Sequence, residues 1–168
     1  MKKSVLFDFI VDRENNQIRV DRSFQAPLDL VWAAWTEAEI LDHWWAPRPY
    51  RNETKSMDFR PGGRWHYAML SPEGERHWCY FDYATIEHQK FYSGKDGFCD
   101  ENGVATNIAP NMQWHNEFED RGTDTVVHVH ISFHKPEDLE TIVNMGFKEG
   151  FTMGMGNLDE YFAALFNR

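Results

Sequence analysis

The chain has 168 residues, enough for one domain around a single sizeable core, and no second domain is expected within 1–168. Its formal net charge is −10 and no run of Lys or Arg exceeds Lys2-Lys3, which argues against nucleic acid and anionic membranes as partners. Seven Trp, six Tyr and 13 Phe in a composition 42% hydrophobic make the chain globular, with aromatic surface that packing or a cavity must absorb.

The opening "SVLFDFIV" reads as a strand, because Asp8 interrupts its apolar run and no small-residue cleavage site follows. "IRVDRSF" is a second strand, joined to it through Asn15-Asn16, residues that accept the positive φ of a hairpin turn. Leu28, Val31, Trp32 and Trp35 then fall at helical spacing after Pro27. A shorter helical turn carries Ile40, Leu41, Trp44 and Trp45 until Pro47 stops it.

From Glu53 the period changes to two. Turn signals at "RPGG", "SPEG", "GKDG", "CDENGVATNIAPN" and "DRGT" divide this stretch into about six antiparallel strands. After Lys135, Pro136 and two acids open a long C-terminal helix that is apolar at Leu139, Ile142, Val143, Phe147, Leu158, Phe162 and Leu165. The expected architecture is α+β, with one curved sheet wrapped around one helix.

If "SPEG" is a four-residue hairpin loop, Leu70 opposes Glu75, so Trp65 faces Tyr80 and Tyr67 faces Trp78 on one side of the sheet. His66, His77 and Cys79 then take the other side. Pairing Glu119 with Asp124 puts Trp114, Phe118, Val127, Val129, Ile131 and Phe133 on the apolar side, and His115, His128, His130 and His134 on the solvated one. The same parity leaves Asp82 and Asn116 as polar groups among aromatics, where an acid acquires a raised pKa and can act as a general acid or base. Three imidazoles on adjacent strands could hold zinc, but solvated histidine is the simpler expectation and no metal is assigned. Two cysteines, Cys79 and Cys99, are read as free thiols in a reducing compartment. No stretch approaches the roughly 18 apolar residues of a membrane span, so the protein is expected to be cytoplasmic.

Gly146, Gly150 and Gly154 repeat every four residues and form one column on the last helix, at a cost of about 1 kcal/mol each relative to alanine. Either the helix approaches the sheet backbone there, or a void lies between them with Met145, Met153 and Met155 as adaptable walls.

The segments "SFQAPLDLVWAAWTEAEILDHWWAP", "DFRPGGRWHYAML", "SPEGERHWCYFDYATIE", "GTDTVVHVHISF" and "MGFKEGFTMGMGNLDEYF", in this order, resemble the AHSA-type family, named for activators of the ninety-kilodalton heat-shock chaperone's ATPase, within the START-like (SRPBCC, birch-pollen-allergen-like) superfamily. The resemblance covers about residues 18 to 166. It implies a helix-grip fold with a pocket between the sheet and the C-terminal helix that takes hydrophobic small molecules. Parity and resemblance together place Trp45, Trp65, Tyr67, Trp78, Tyr80, Asp82, Trp114, Asn116, Phe118, Val129, Ile131, Phe147, Gly150 and Gly154 at that pocket. Of Trp44 and Trp45, about 100° apart on a helix, one can bury while the other caps the pocket mouth, although two anchors at a helix end are the simpler reading.

The expected function is that of a small-hydrophobic-ligand-binding or stress-related domain, without catalytic residues, cofactor or metal. Two alternatives stand beside it: an enzyme in which Asp82 or a neighbour moves a proton on an aromatic or polyketide-like substrate, and a co-chaperone-like module with a chaperone as partner. A homodimer stays open.

Overall fold

In the computed structural model, residues 5–167 are described, so the ends of the expected 1–168 domain and Ser4 of the first expected strand lie outside them. Eight strands form one antiparallel sheet: β1 (Phe7–Asp12), β2 (Gln17–Phe24), β3 (Arg51–Met57), β4 (Arg64–Leu70), β5 (Arg76–Glu87), β6 (Phe91–Phe98), β7 (Met112–Arg121) and β8 (Asp124–Ser132). Their spatial order is β1-β2-β8-β7-β6-β5-β4-β3. Helices α1 (Leu28–Thr36) and α2 (Ala38–Trp44) lie between β2 and β3, and α3 (Pro136–Asn144) and α4 (Phe147–Phe166) follow β8. The sheet curves around the C-terminal helix, the helix-grip arrangement. Among the described residues, no helix is long and apolar enough to cross a membrane.

The first hairpin turns as its residues require, with Asn16 at φ 56°. Trp32 and Trp35 of α1 pack edge-on against Phe118 of β7, at ring separations of 4.9 and 6.0 Å, which fixes the helix on the concave face. From the other side α4 supplies Phe151, Met155, Leu158 and Phe162 to the same core.

The C-terminal helix is two helices. Gly146 adopts φ 87°, a left-handed conformation in which glycine carries no Cβ penalty, and its N–H still bonds the carbonyl of Val143 as α3 ends. Gly146 is therefore a break and does not belong to the interior column expected for it. The expected "GKDG" turn is likewise absent: Gly94–Gly97 lie inside β6, and the chain reverses earlier, at Gln89 with φ 58°. A Cβ on Gly94 would come 2.3 Å from the Phe81 ring, and one on Gly97 would come 2.6 Å from the Tyr80 hydroxyl. These glycines make room for aromatic neighbours rather than a turn.

Both hairpin registers differ from expectation, with unequal consequences. Between β4 and β5 the loop is Ser71 to Glu75, closed by Ser71 and Glu75 main-chain pairing and by Gly74 at φ 92°, so that Leu70 pairs with Arg76. This slip of one residue reverses every β5 side chain. Cys79, Phe81 and Tyr83 turn to the concave face opposite Tyr67, Trp65 and Gly63, while Trp78, Tyr80 and Asp82 turn to the convex face. Between β7 and β8 the strands continue to a tight turn at Gly122 and Thr123, with Arg121 opposite Asp124. That slip is two residues, so Trp114, Asn116, Phe118, Val127, Val129 and Ile131 keep the concave face, but His115 now opposes His130.

Candidate functional site

A cavity of about 260 Å³ lies between the sheet and the C-terminal helices. Trp45, at the end of α2, forms one wall, and its indole N–H donates to the Tyr67 hydroxyl at 3.2 Å. Tyr67 in turn stacks on Trp65 at 3.9 Å. The floor is built by Met69, Cys79, Phe98, Met112 and Trp114 from β4 to β7. Ile142, Met145 and Gly146 close one side, and α4 contributes Phe147, Gly150 and Phe151, the two phenyl rings stacked at 5.3 Å. Met145 is exposed while lining the cavity, which locates its mouth at the α3–α4 break.

Of the fourteen residues expected at the pocket, Trp45, Tyr67, Trp114, Phe147 and Gly150 line this cavity. Trp65, Asn116, Phe118, Val129, Ile131 and Gly154 share the concave side but lie in the packed core around it. Gly154 is a close-approach position: a Cβ there would stand 3.2 Å from the Trp44 carbonyl oxygen and 3.3 Å from that of Trp45. A Cβ on Gly150 would meet only the Pro47 ring, at 3.8 Å. The void expected beside the column is found at Gly150, whereas the close approach at Gly154 is to the end of α2 and not to the sheet backbone. The adjacent tryptophans divide the work in the same way, Trp44 being buried with its N–H on the Ala34 carbonyl while Trp45 faces the cavity.

Trp78, Tyr80 and Asp82 are corrected to the convex face. Asp82 receives two guanidinium hydrogen bonds from Arg64, at 2.6 and 3.0 Å, and Arg64 lies 4.4 Å from the Tyr80 ring centre. The segment joining β6 to β7 covers this face: the Asn111 amide donates to the Tyr80 hydroxyl at 2.9 Å, and Arg64 donates to the Gly103 carbonyl at 2.6 Å. An acid so paired and so placed is not the acid among aromatics that the expected enzyme reading needed.

That acid is Asp96, near the end of β6, opposite Phe81 on one side and Met112 on the other. Its carboxyl accepts the Met112 N–H at 3.0 Å. Burial pushes its pKa up to about 7, against partial relief from Met112 and Trp114. The Trp114 indole N–H lies near enough to favour the carboxylate, but it makes no well-directed hydrogen bond and is buried without a partner. Burial likewise raises the Tyr67 hydroxyl well above its ordinary value and pushes the Cys79 thiol up to about 12, so Cys79 is a thiol and not a nucleophilic thiolate at neutral pH. Asp96, Cys79, Met69, Phe98 and Met112 were not expected here. Alternation of Tyr92, Gly94, Asp96 and Phe98 along one face was the available signal, overridden by the turn-like "GKDG".

The histidines do not converge. His128 is held between the Asp21 carboxylate at 2.6 Å and Glu119 at 2.9 Å, and among the described residues no group of three or more His, Cys, Asp or Glu is placed to hold a metal ion.

The family model described as Activator of Hsp90 ATPase homolog 1-like protein matches residues 25–163. Among solved structures, a protein from Arthrobacter aurescens is 24% identical with a TM-score of 0.85, over 90% of this chain and 88% of that one. Protein Ms6760 from Mycobacterium smegmatis is also 24% identical, with a TM-score of 0.84 over 94% of this chain and 96% of its own. The AHSA1 protein from Silicibacter pomeroyi is 17% identical, with a TM-score of 0.69 over 88% and 98% of the two chains. At these identities the likeness shows the fold. No curated protein matches the sequence.

Proposed function

Since the chain belongs to the Activator of Hsp90 ATPase homolog 1-like family, we propose that it works as a non-catalytic binding domain for one small hydrophobic molecule, held between the sheet and the C-terminal helix. The observation that carries this reading is the cavity itself, whose wall is made almost wholly of aromatic rings, methionines and helix backbone at glycine. A cavity of about 150 Å³ accommodates benzene, so about 260 Å³ suits one substituted or fused pair of rings. Absence of catalysis is favoured by the state of the groups beside it: the Cys79 thiol keeps its proton, and Asp96 stands without a second titratable partner of matched pKa.

The test is native mass spectrometry of freshly purified protein for a retained molecule, with calorimetric titration of an apolar aromatic probe into the wild type and into Gly150→Leu. Stoichiometric binding lost in the variant is the expected result. Stimulation of a ninety-kilodalton chaperone's ATPase by a protein that binds no such probe would replace this reading with a co-chaperone role.

A further inference from the structure

Two polar groups lie at the cavity floor, Trp114 in its lining and Asp96 on the adjacent strand, between the lining residues Phe98 and Met112. Trp114 is 3% exposed and its Nε1–H has no hydrogen-bond partner, a state that ordinarily costs free energy in a buried donor. Beside it is the Asp96 carboxyl, whose Oδ1 accepts the Met112 main-chain N–H. Both groups rise from the concave face on adjacent strands, Asp96 being bracketed by the lining residues Phe98 on β6 and Met112 on β7. None of the residues that line the cavity carries a positive charge. An acid with no countercharge in the lining, next to an indole N–H that approaches it without a well-directed hydrogen bond, defines what a ligand must bring.

We propose, on the premise that the cavity binds a small molecule at all, that its ligand is a neutral aromatic compound bearing a hydroxyl group, of the phenol or naphthol class. Its O–H donates to the Asp96 carboxyl and its oxygen accepts the Trp114 Nε1–H. The ring system lies against Trp45, Phe147 and Phe151, and the hydroxyl reaches Asp96 beside its strand partner Met112, whose unbranched side chain gives way to it. A hydroxyl is the smallest group that satisfies both partners at once. A bare hydrocarbon satisfies neither, an ammonium serves Asp96 but has no lone pair for Trp114, and an anionic aromatic acid is repelled by Asp96 once that carboxyl is ionised. Sites built around such pairs discriminate against analogues lacking the group far more than apolar walls discriminate by size.

Isothermal titration of naphthalene, 2-naphthol and 2-naphthoate at pH 8, where Asp96 is ionised, tests this. The wild type should bind 2-naphthol at least about tenfold more tightly than either of the others, one power of ten being the expected worth of one well-made buried hydrogen bond. Asp96→Leu and Trp114→Phe keep bulk and an apolar surface while deleting one partner each, and both should erase most of the preference of 2-naphthol over naphthalene without abolishing naphthalene binding. Equal binding of 2-naphthol and naphthalene by the wild type overturns the proposed ligand class and leaves the cavity-binding function standing. So does a preference that survives in both variants. If none of the three binds at millimolar concentration, the cavity-binding function itself fails, and the ligand class with it.

Discussion

Gly154 of α4 lies against the carbonyl oxygen of Trp44, so close that an added Cβ would stand 3.2 Å from it, whereas Gly150, one turn earlier, would add its Cβ into ordinary contact with Pro47. One helix face thus seals against the α2 end at one level and opens onto the cavity at the next.

Substitution should separate the two levels. Gly150→Leu fills cavity space and regains helix propensity of about 1 kcal/mol, so its melting temperature should hold or rise while aromatic-probe binding disappears. Gly154→Leu must push on main-chain atoms and should cost about 1 to 3 kcal/mol, seen as a melting temperature several degrees lower. Equal melting temperatures for the two variants would contradict the geometry.

Asp96 makes a specific pH signature. Its folded-state pKa of about 7 is raised above the ordinary carboxyl value, so the unfolded chain releases its proton first as pH rises. Stability is unaffected below about pH 4, falls between there and about pH 7, and stays lowered above. The titratable groups that feel its charge are Tyr67 of β4 and Cys79 and Tyr80 of β5, all raised and therefore still protonated across this range, so the carboxyl titrates alone. Asp96→Asn keeps an acceptor for the Met112 N–H and should melt several degrees above the wild type at pH 8, with the gap closing toward pH 4. Thermal unfolding at four or five pH values checks it.

His128 should act in the opposite sense. Burial by itself lowers its pKa, but the hydrogen bonds to Asp21 and Glu119 outweigh that and leave it raised. The charged ring therefore contributes stability in full below the unfolded value near 6.5 and loses it as pH climbs through the higher folded value. Arg121 also binds Glu119, which moderates the gain. His128→Gln should lower the melting temperature most near pH 6 and progressively less above neutrality. A loss independent of pH would mean that the ring contributes packing alone.

Asp82→Asn should cost little, about 1 kcal/mol or less, because the ion pair with Arg64 is more than a third exposed on both sides and is screened by water. Probe affinity should not change, since the pair is on the convex face. A loss of binding without a loss of stability would return Asp82 to the site.

The parts of the fold that periodicity controls were legible: Leu28, Val31, Trp32 and Trp35 form the helix their spacing requires, and the β7–β8 faces survive an error of two residues because side chains repeat every two. What was not legible depended on single residues. Glu75 belongs to the loop rather than to β5, and that one position exchanged Trp78, Tyr80 and Asp82 for Cys79, Phe81 and Tyr83 on the cavity side. Asp96 was hidden because glycine is read as conformational freedom, while at 94 and 97 it provides clearance for Phe81 and Tyr80. No local pattern announces that the segment before β7 will cover the convex face, since that follows from Arg64, Gly103, Asn111 and Tyr80 meeting in three dimensions.

The tryptophans that build the cavity wall are also its optics. Trp35 touches Trp44 and Trp45, and Trp45 touches Trp65 and Trp114, with ring centres 5.0 to 6.0 Å apart. Indoles this close exchange excitation, so light absorbed by any of these five reaches Trp45 and Trp114, the two that border the void. A molecule entering there quenches or shifts the emission of the connected set rather than of one fluorophore. The protein therefore carries an intrinsic antenna for occupancy of its own interior, readable without any label.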